Sequence, residues 1–129
     1  MIFEIDEQSN EPIYKQIQQQ IILGIAQNKI QPGMNLPSIR QLSDELSINP
    51  MTISKAYTLL KEQGYLITDR RKGAMITQPD SFTEVERTQY LHDLAFLLAQ
   101  GRLHQESSSK ILTDIESILN QYDQERKPL

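Results

Sequence analysis

The sequence predicts a mainly α-helical fold of the α+β class, with a small β-hairpin after the first helices. Two short helical patterns, separated by residues 47–49, carry apolar residues at helical spacing. Two β-prone runs, residues 65–68 and 74–77, flank a glycine-containing loop of five residues, which is a hairpin signal. A helix, a tight turn, a second helix and a hairpin, in this order, indicate a winged helix-turn-helix. Two longer helical patterns then predict a helical tail.

The composition excludes several classes of function. The chain has 129 residues, of which 38% are hydrophobic, and it contains no cysteine. Disulfides, thiolate metal sites and cysteine nucleophiles are therefore excluded. No apolar run approaches the roughly 18–20 residues that span a bilayer, and no signal peptide is visible. We expect a cytoplasmic protein without a membrane partner.

The N-terminal segment predicts an arm followed by one amphipathic helix. Residues 2–6 alternate in polarity and predict a short strand or an extended arm. Ser9 or Asn10 is expected to cap a helix that has Pro12 in its first turn. Isoleucines recur every four residues from position 13 to position 25, which places them on one helix face. The helix is expected to end near Asn28.

The two short helices each have a recognisable start signal. Ser38 and Gln41 fit a capping box, and the helix that they begin buries Ile39, Leu42 and Leu46. Asn49 is expected to cap the second helix, with Pro50 in its first position. Gly64 stands where that helix would end in a left-handed residue. The buried face of the second helix is predicted to comprise Ile53, Ala56, Tyr57 and Leu60.

The remaining face of the second helix carries residue types that bind nucleic acid. Met51, Thr52, Ser54, Lys55 and Thr58 are not needed for packing. Thr52 and Lys55 lie three residues apart near the N-terminal end, which is the part of a recognition helix that enters the major groove. Threonine and serine hydrogen-bond to base edges or phosphates, and lysine reaches either guanine or a phosphate.

Basic residues surround this helix in the sequence. Arg40 lies in the first turn of the preceding helix, where a guanidinium reaches the DNA backbone. The hairpin tip, Arg70-Arg71-Lys72, suits phosphates or the minor groove, and Gly73 allows the turn. Residues 38–73 contain six basic and four acidic residues, whereas residues 81–129 contain five basic and eight acidic ones. The acidic residues behind the net charge of −4 therefore lie mainly outside the expected DNA face.

We expect residues 1–79 to form a DNA-binding domain and residues 80–129 to form a helical dimerisation tail. A long helix is expected to start at Ser81 or Thr83 and to end at Gly101, with Val85, Leu91, Leu94, Ala95 and Leu98 inward. A final helix is expected from about Ser107 to Tyr122. Its wide apolar stripe cannot be buried by one other helix, which indicates a partner chain. The expected dimer contacts are Leu91, Leu94, Leu98, Ile111, Ile115, Ile118 and Tyr122.

No catalytic or metal-binding arrangement stands out. His92 and His104 are the only histidines, and a metal site needs more converging ligands. The acidic pairs at positions 84/86 and 114/116 lie on different faces of their helices. We therefore expect no enzymatic activity, no bound metal and no cofactor.

Two motifs carry a family resemblance, Leu36-Pro37-Ser38-x-Arg40-x-Leu42 and Asn49-Pro50-x-Thr52-x-x-Lys55-Ala56-Tyr57. Together they resemble the DNA-binding domain of GntR-type bacterial transcription regulators, and the second motif with the short tail is similar to the YtrA-type subfamily. The resemblance implies DNA contacts at Arg40, Asn49, Met51, Thr52, Ser54, Lys55, Arg71, Lys72 and Gly73. Ser38 and Arg70 complete the candidate DNA-binding set.

These observations predict a homodimeric, sequence-specific transcription regulator that binds a palindromic operator in double-stranded DNA. The resemblance implies a repressor of a transporter-type operon, and a small-molecule effector is left open. Larger relatives carry a pyridoxal-phosphate domain, for which the roughly 50 residues after the hairpin leave no room. The alternative is a winged-helix module that binds a protein and no DNA, since the fold hosts both uses. The basic hairpin tip and the polar recognition face favour DNA.

Overall fold

The structure, a computed structural model, describes residues 3–124 and divides into two compact units, Met1–Pro79 and Asp80–Leu129. The first unit contains the helices α1 (Ile13–Ala26), α2 (Ile39–Leu46) and α3 (Pro50–Glu62) and the strands β1 (Leu66–Asp69) and β2 (Gly73–Ile76). The second unit contains α4 (Glu84–Leu103) and α5 (Ser108–Gln124). The predicted fold class, mainly helical with one small hairpin, is confirmed.

The core of the first unit gathers apolar residues from every element. Both α1 and α2 pack against α3, which also contacts β1. The fully buried side chains are Ile17, Ile21, Leu42, Ile53, Leu60, Leu66 and Ile76. Burying a side chain of this size stabilises the fold by about 1.5–3 kcal/mol, so the core holds α3 firmly at the centre of the unit.

The segment before α1 is an extended arm held by two glutamines. The side-chain amide of Gln16 donates to the carbonyl of Asp6 and accepts from its N–H, both at 2.9 Å. Gln20 forms the same pair of bonds with Glu4, and Phe3 is buried in the core. Because the glutamines lie one helical turn apart, they share one face of α1. These two side-chain amides form hydrogen bonds with the backbone of the arm that a neighbouring strand would otherwise form.

The start of α1 differs from the prediction. Ser9 or Asn10 was expected to cap this helix, but Pro12 occupies the N-cap position and Ile13 is the first helical residue. The backbone of Pro12 is extended (φ −56°, ψ 147°), and its side chain has no group that accepts a hydrogen bond. The hydroxyl of Ser9 instead accepts from the N–H of Glu11 at 3.0 Å. The serine closes a local turn, a common alternative to helix capping.

The hairpin is tighter than predicted. Asp69 pairs with Gly73, so the loop contains only the three residues 70–72, whereas the sequence predicted five. The carboxylate of Asp69 accepts a hydrogen bond of 2.7 Å from the N–H of Arg71, which is the Asx-turn geometry of short loops. Gly73 has a φ of +77°, a value that glycine adopts without strain. The basic tip is therefore a short, well-defined turn.

A third segment pairs with the other edge of β2. The N–H of Ile76 donates to the carbonyl of Met34 at 2.8 Å, and that of Leu36 donates to Ala74 at 2.9 Å. The sequence had indicated only a turn at residues 32–33. This pairing satisfies the second edge of β2 and attaches the hairpin to the chain that leads into α2.

The second unit is a pair of helices, and the end of α4 differs from the prediction. Of the two predicted starts, Thr83 is correct, because its hydroxyl and Glu86 form a capping box. Gly101 does not end α4, which continues to Leu103. The left-handed conformation that follows the helix falls on Gln105, with a φ of +70°. A glycine was therefore not required at the helix end.

The inward face predicted for α4 also needs revision. Val85, Leu91 and Ala95 were expected to face inward, but all three are exposed, Val85 to 80%. The start predicted for α5 at about Ser107 is confirmed, since the helix begins at Ser108 and the hydroxyl of Ser107 accepts from the N–H of Lys110 at 3.1 Å. The helix extends to Gln124, beyond the predicted end at Tyr122. Within residues 3–124, no helix combines the length and hydropathy needed to cross a bilayer.

Candidate nucleic-acid interface

Two side-chain caps define the helix-turn-helix. The hydroxyl of Ser38 accepts from the N–H of Gln41 at 3.0 Å, while the side chain of Gln41 accepts from the N–H of Ser38 at 2.9 Å. Ser47 turns the chain in a left-handed conformation with a φ of 54°. Asn49 then caps α3 by accepting from the N–H of Met51 at 2.8 Å. The capping roles predicted for Ser38 and Asn49 are confirmed.

The structure divides the residues of α3 between a buried and an outward face. Ile53, Ala56, Tyr57 and Leu60 are buried, as predicted. Met51 is 79% exposed, and Lys55 and Thr58 are also exposed. Thr52 and Ser54 are half-buried at the margins of this outward face. The helix thus presents hydroxyls, one amine and one thioether, the functional groups that contact DNA bases and phosphates.

Lys55 has a partner on a different helix. Its ammonium nitrogen lies 4.0 Å from the centroid of the Tyr14 ring, within the range of a cation–π interaction. Tyr14 belongs to α1 and is half-buried against the core. Sequence reasoning missed this residue, because no pattern within α1 indicates which side chain of α3 will lie above it.

The hairpin tip exposes its basic side chains. Arg70, Arg71, Lys72 and Gly73 are all exposed. The carboxylate of the adjoining Asp69 accepts from the backbone N–H of Arg71 and forms no ion pair with a described residue. The tip therefore presents three cations on a turn whose backbone is held by a hydrogen bond.

A groove of about 320 Å³ runs between α3 and the hairpin. It brings together Ser38 at the start of α2, Ser54 on α3 and Gly73 on the hairpin, three of the predicted site residues. Lys61 and Thr68 also line it, joined by a hydrogen bond of 3.0 Å from the ammonium to the hydroxyl. The sequence interpretation did not include Lys61 or Thr68, since each alone reads as an ordinary surface residue.

The basic residues of this surface lack acidic partners. Among the residues that the structure describes, the ion pair present is that between Lys110 and Asp114 in the second unit. Arg40, Lys55, Arg70, Arg71 and Lys72 form none. Their charges are therefore not neutralised within the chain, which favours contact with an external anion such as phosphate.

The residues predicted to form a dimer lie on α4 and α5. Leu94, Leu98, Ile111, Ile115 and Tyr122 are half-buried, whereas Leu91 and Ile118 are 45% and 48% exposed. A groove of about 480 Å³ between the two helices is lined by Leu98, Ile111 and Leu112, among other residues. No residue of the second unit that the structure describes is fully buried. In the described chain there is also no cluster of three His, Asp or Glu residues that could hold a metal ion.

Comparison with known proteins matches most of the first unit to a protein family. Residues 13–76 match the family model of the bacterial regulatory proteins of the gntR family. The HTH-type transcriptional repressor YtrA of Bacillus subtilis is 39% identical over 85 residues, which are 66% of this chain and 65% of the relative. The regulator YhcF from the same organism is 35% identical over 55% of this chain and 59% of its own length. These matches span less than two thirds of either relative.

Solved structures extend the similarity to the fold. A transcriptional antiterminator from Listeria monocytogenes EGD-e has a TM-score of 0.80 and 28% identity over 92% of this chain and 93% of its own. YtrA from Sulfolobus acidocaldarius, a GntR-family transcription factor, has a TM-score of 0.64 and 34% identity over 77% of this chain and 99% of its own.

The similar structures include complexes with operator DNA. AraR(DBD) in complex with operator ORX1 has a TM-score of 0.52 and 27% identity over 60% of this chain and 99% of its own. The family match at residues 13–76 includes the helix-turn-helix and the hairpin described above. The chain belongs to the GntR family of bacterial regulatory proteins, resembles its YtrA-type members, and has transcriptional regulators rather than enzymes as its relatives.

Proposed function

We propose that this chain is a sequence-specific transcriptional repressor that binds a palindromic DNA operator as a homodimer. The observation that carries the proposal is the surface formed by α2, α3 and the hairpin. Hydroxyls and five basic side chains lie there in one unit, and none of the five forms an ion pair with a described residue. YtrA of Bacillus subtilis is named a repressor, and AraR(DBD) binds its operator through a domain of this fold. Both similarities support the proposal.

In the proposed complex, α3 reads the bases and the hairpin positions the protein. Met51, Thr52 and Ser54 lie in the first turns of α3, the part of a recognition helix that reaches base edges. Arg71 and Lys72 at the hairpin tip contact phosphates or the minor groove, as flexible cations do without reading sequence. Arg40, in the first turn of α2, contacts the backbone beside the groove, next to the helix start at Ser38.

The dimer is proposed from the state of the second unit. Phe96, Leu97 and Leu103 are 62%, 62% and 79% exposed, and no described residue of α4 or α5 is fully buried. Several large apolar side chains exposed within one small unit favour an interaction site there. We propose that a second copy of the tail covers the predicted dimer residues, from Leu91 on α4 to Tyr122 on α5, and joins the two chains.

The symmetry of the operator follows from this dimer. An isologous dimer has a two-fold axis, and its two recognition helices are related by that axis. Each helix then meets the same bases on opposite strands. The centres of the half-sites are expected to lie about one helical turn apart, roughly 10 base pairs, or a multiple of that spacing.

The proposed function also implies a location and a set of target genes. A protein that binds chromosomal DNA in this way acts in the cytoplasm. Resemblance to YtrA-type members favours transporter genes as its targets.

Selection followed by footprinting tests the proposal. The full chain selects duplexes from a random pool, and the bound sequences are aligned and then footprinted. We expect an imperfect palindrome protected on both strands, with hairpin protection outside the half-sites. A variant in which Arg70, Arg71 and Lys72 are replaced by alanine is the control, and it should bind every duplex more weakly. An asymmetric site bound by one chain would refute the dimer, and the absence of any protected DNA would favour a protein-binding module instead.

A further inference from the structure

The contact between Lys55 and Tyr14 joins the outward face of α3 to a helix outside the helix-turn-helix. The ammonium lies 4.0 Å from the ring centroid, although Lys55 itself is exposed. No carboxylate forms an ion pair with Lys55 in the part of the chain that the structure describes. The ring face of Tyr14 is thus the group that holds this cation in place.

We propose that Tyr14 is a positioning residue for DNA binding, which holds the ammonium of Lys55 on the α1 side of α3 so that it contacts a phosphate at the edge of the groove. The inference rests on the proposed function and adds a residue that the motifs of α2, α3 and the hairpin do not contain. From the sequence alone, Lys55 was equally suited to a base edge or a phosphate.

The geometry favours a phosphate for two reasons. The ammonium lies over a ring of α1, the helix that packs against α3, and so it is held on the α1 side of α3. A lysine ammonium has three donors, and the aromatic face occupies one side of it. The opposite side stays available to an anion, and a cation between a ring and a phosphate is attracted by both.

The ring also reduces the cost of binding. A long, free lysine side chain loses rotamer freedom when it becomes fixed at an interface, and prior fixation removes part of that loss. An exposed cation–π contact corresponds to about a two- to fivefold change in an equilibrium constant. We therefore expect Tyr14→Leu to weaken binding to any duplex by about two- to fivefold. Tyr14→Phe retains the ring face and should bind as the wild type does.

The first measurement uses the free protein. A proton above an aromatic ring is shifted upfield in the NMR spectrum, so the ε-methylene protons of Lys55 report the contact directly. We expect an upfield shift in the wild type and in Tyr14→Phe, and its loss in Tyr14→Leu. Thermal melts of the variants confirm that each folds. The absence of the shift in the wild type would overturn the inference without reference to DNA.

The second measurement is a double-mutant cycle in DNA binding. The probes are the duplex that the wild type selects from a random pool and a random duplex of equal length. Lys55→Ala should weaken both complexes and lower the salt slope by about one unit, the value for one lost phosphate contact. In the Lys55→Ala background, Tyr14→Leu should have no additional effect on affinity.

The outcomes separate this inference from the proposed function. Additive effects of Tyr14→Leu and Lys55→Ala, or a loss confined to the selected duplex, would overturn the inference alone. An unchanged affinity in Tyr14→Leu would do the same. A wild-type chain that binds neither duplex would overturn the proposed function and this inference with it.

Discussion

The hydroxyl of Tyr57 on α3 donates a hydrogen bond of 2.8 Å to the carbonyl oxygen of Pro37, immediately before α2. This bond joins the two helices of the helix-turn-helix at the end opposite their connecting turn. Tyr57 is also buried, so the bond lies in an environment where an unpaired polar group is costly. It fixes the angle at which α3 is presented.

Removal of this bond should lower stability. We expect Tyr57→Phe to reduce the free energy of unfolding by about 1 kcal/mol at neutral pH, because the carbonyl of Pro37 loses its partner. Urea denaturation measures the change. The control is Tyr90→Phe on α4, which removes a half-exposed tyrosine hydroxyl outside the first unit and outside the predicted dimer residues. Equal stability of Tyr57→Phe and the wild type would mean that water replaces the bond without loss.

The same tyrosine predicts a sensitivity to alkali. Burial raises the pKa of Tyr57 above its ordinary value of 10.0, and the negative charge of Glu45 raises it further. The folded chain therefore holds this proton more tightly than the unfolded chain does. Its contribution is fully present below about pH 10 and is lost as the pH rises from there through the folded pKa. Denaturation at increasing pH should show a shallower loss of stability in Tyr57→Phe than in the wild type.

Asn49 is predicted to affect both the stability of the folded chain and its binding to DNA, and two substitutions separate the effects. Its side-chain oxygen caps α3, so Asn49→Ala should cost about 1 kcal/mol of unfolding free energy. Asn49→Asp retains the capping oxygen and should keep that stability. The added carboxylate should nevertheless weaken DNA binding, since it faces phosphates in the proposed complex. An Asn49→Asp protein that binds DNA as the wild type does would remove Asn49 from the DNA surface.

Thr52 tests whether the start of α3 reads bases. We expect Thr52→Ala to weaken binding to the selected operator by about 1–3 kcal/mol and to leave binding to random DNA nearly unchanged. Thr52→Ser keeps the hydroxyl and is the matched control. Competition titrations with both duplexes measure the two affinities. If Thr52→Ala lowers them equally, the hydroxyl contributes to structure or to the backbone contact and does not specify sequence.

Arg71 tests the role of the hairpin. Arg71→Ala should weaken binding to all duplexes and reduce the slope of log affinity against log salt concentration by about one unit, because one phosphate contact is lost. Arg87→Ala on α4 is the matched control for removing one arginine charge and should leave the slope unchanged. A loss that is specific to the operator would instead place Arg71 on a base edge.

Ile118 tests the proposed dimer. This side chain is 48% exposed in the single chain, so Ile118→Glu should not unfold the tail, yet it should place a charge within the dimer contact. Sedimentation at micromolar concentration should show a dimer for the wild type and a monomer for Ile118→Glu. Ser117→Glu, the neighbouring exposed position, should remain dimeric. A wild-type monomer under these conditions would refute the dimer.

The sequence by itself determined the features that depend on neighbouring residues. The sequence predicted the caps at Ser38 and Asn49, the helix stop at Gly64 and the buried stripe of α3. These features were predictable because a cap or an apolar face depends on residues within one or two helical turns. Helix boundaries were predicted less accurately where two local sequence signals competed. Ser9 had a turn available to it as well as a helix cap, and Gly101 was compatible with the interior of α4.

Only the tertiary structure decided which distant side chains meet. Gln16 and Gln20 hold the N-terminal arm, residues 33–36 pair with β2, and the ring of Tyr14 holds Lys55. Each of these contacts joins segments that are distant in the sequence, and no periodic pattern of residues indicates that the two segments meet. Their partners depend on how α1 packs against α3 and on where the hairpin returns, and those positions are set by burial of the shared core. The sequence indicated candidate residues on α2, α3 and the hairpin, whereas it did not indicate Tyr14, Lys61 or Thr68 or the mutual arrangement of the site.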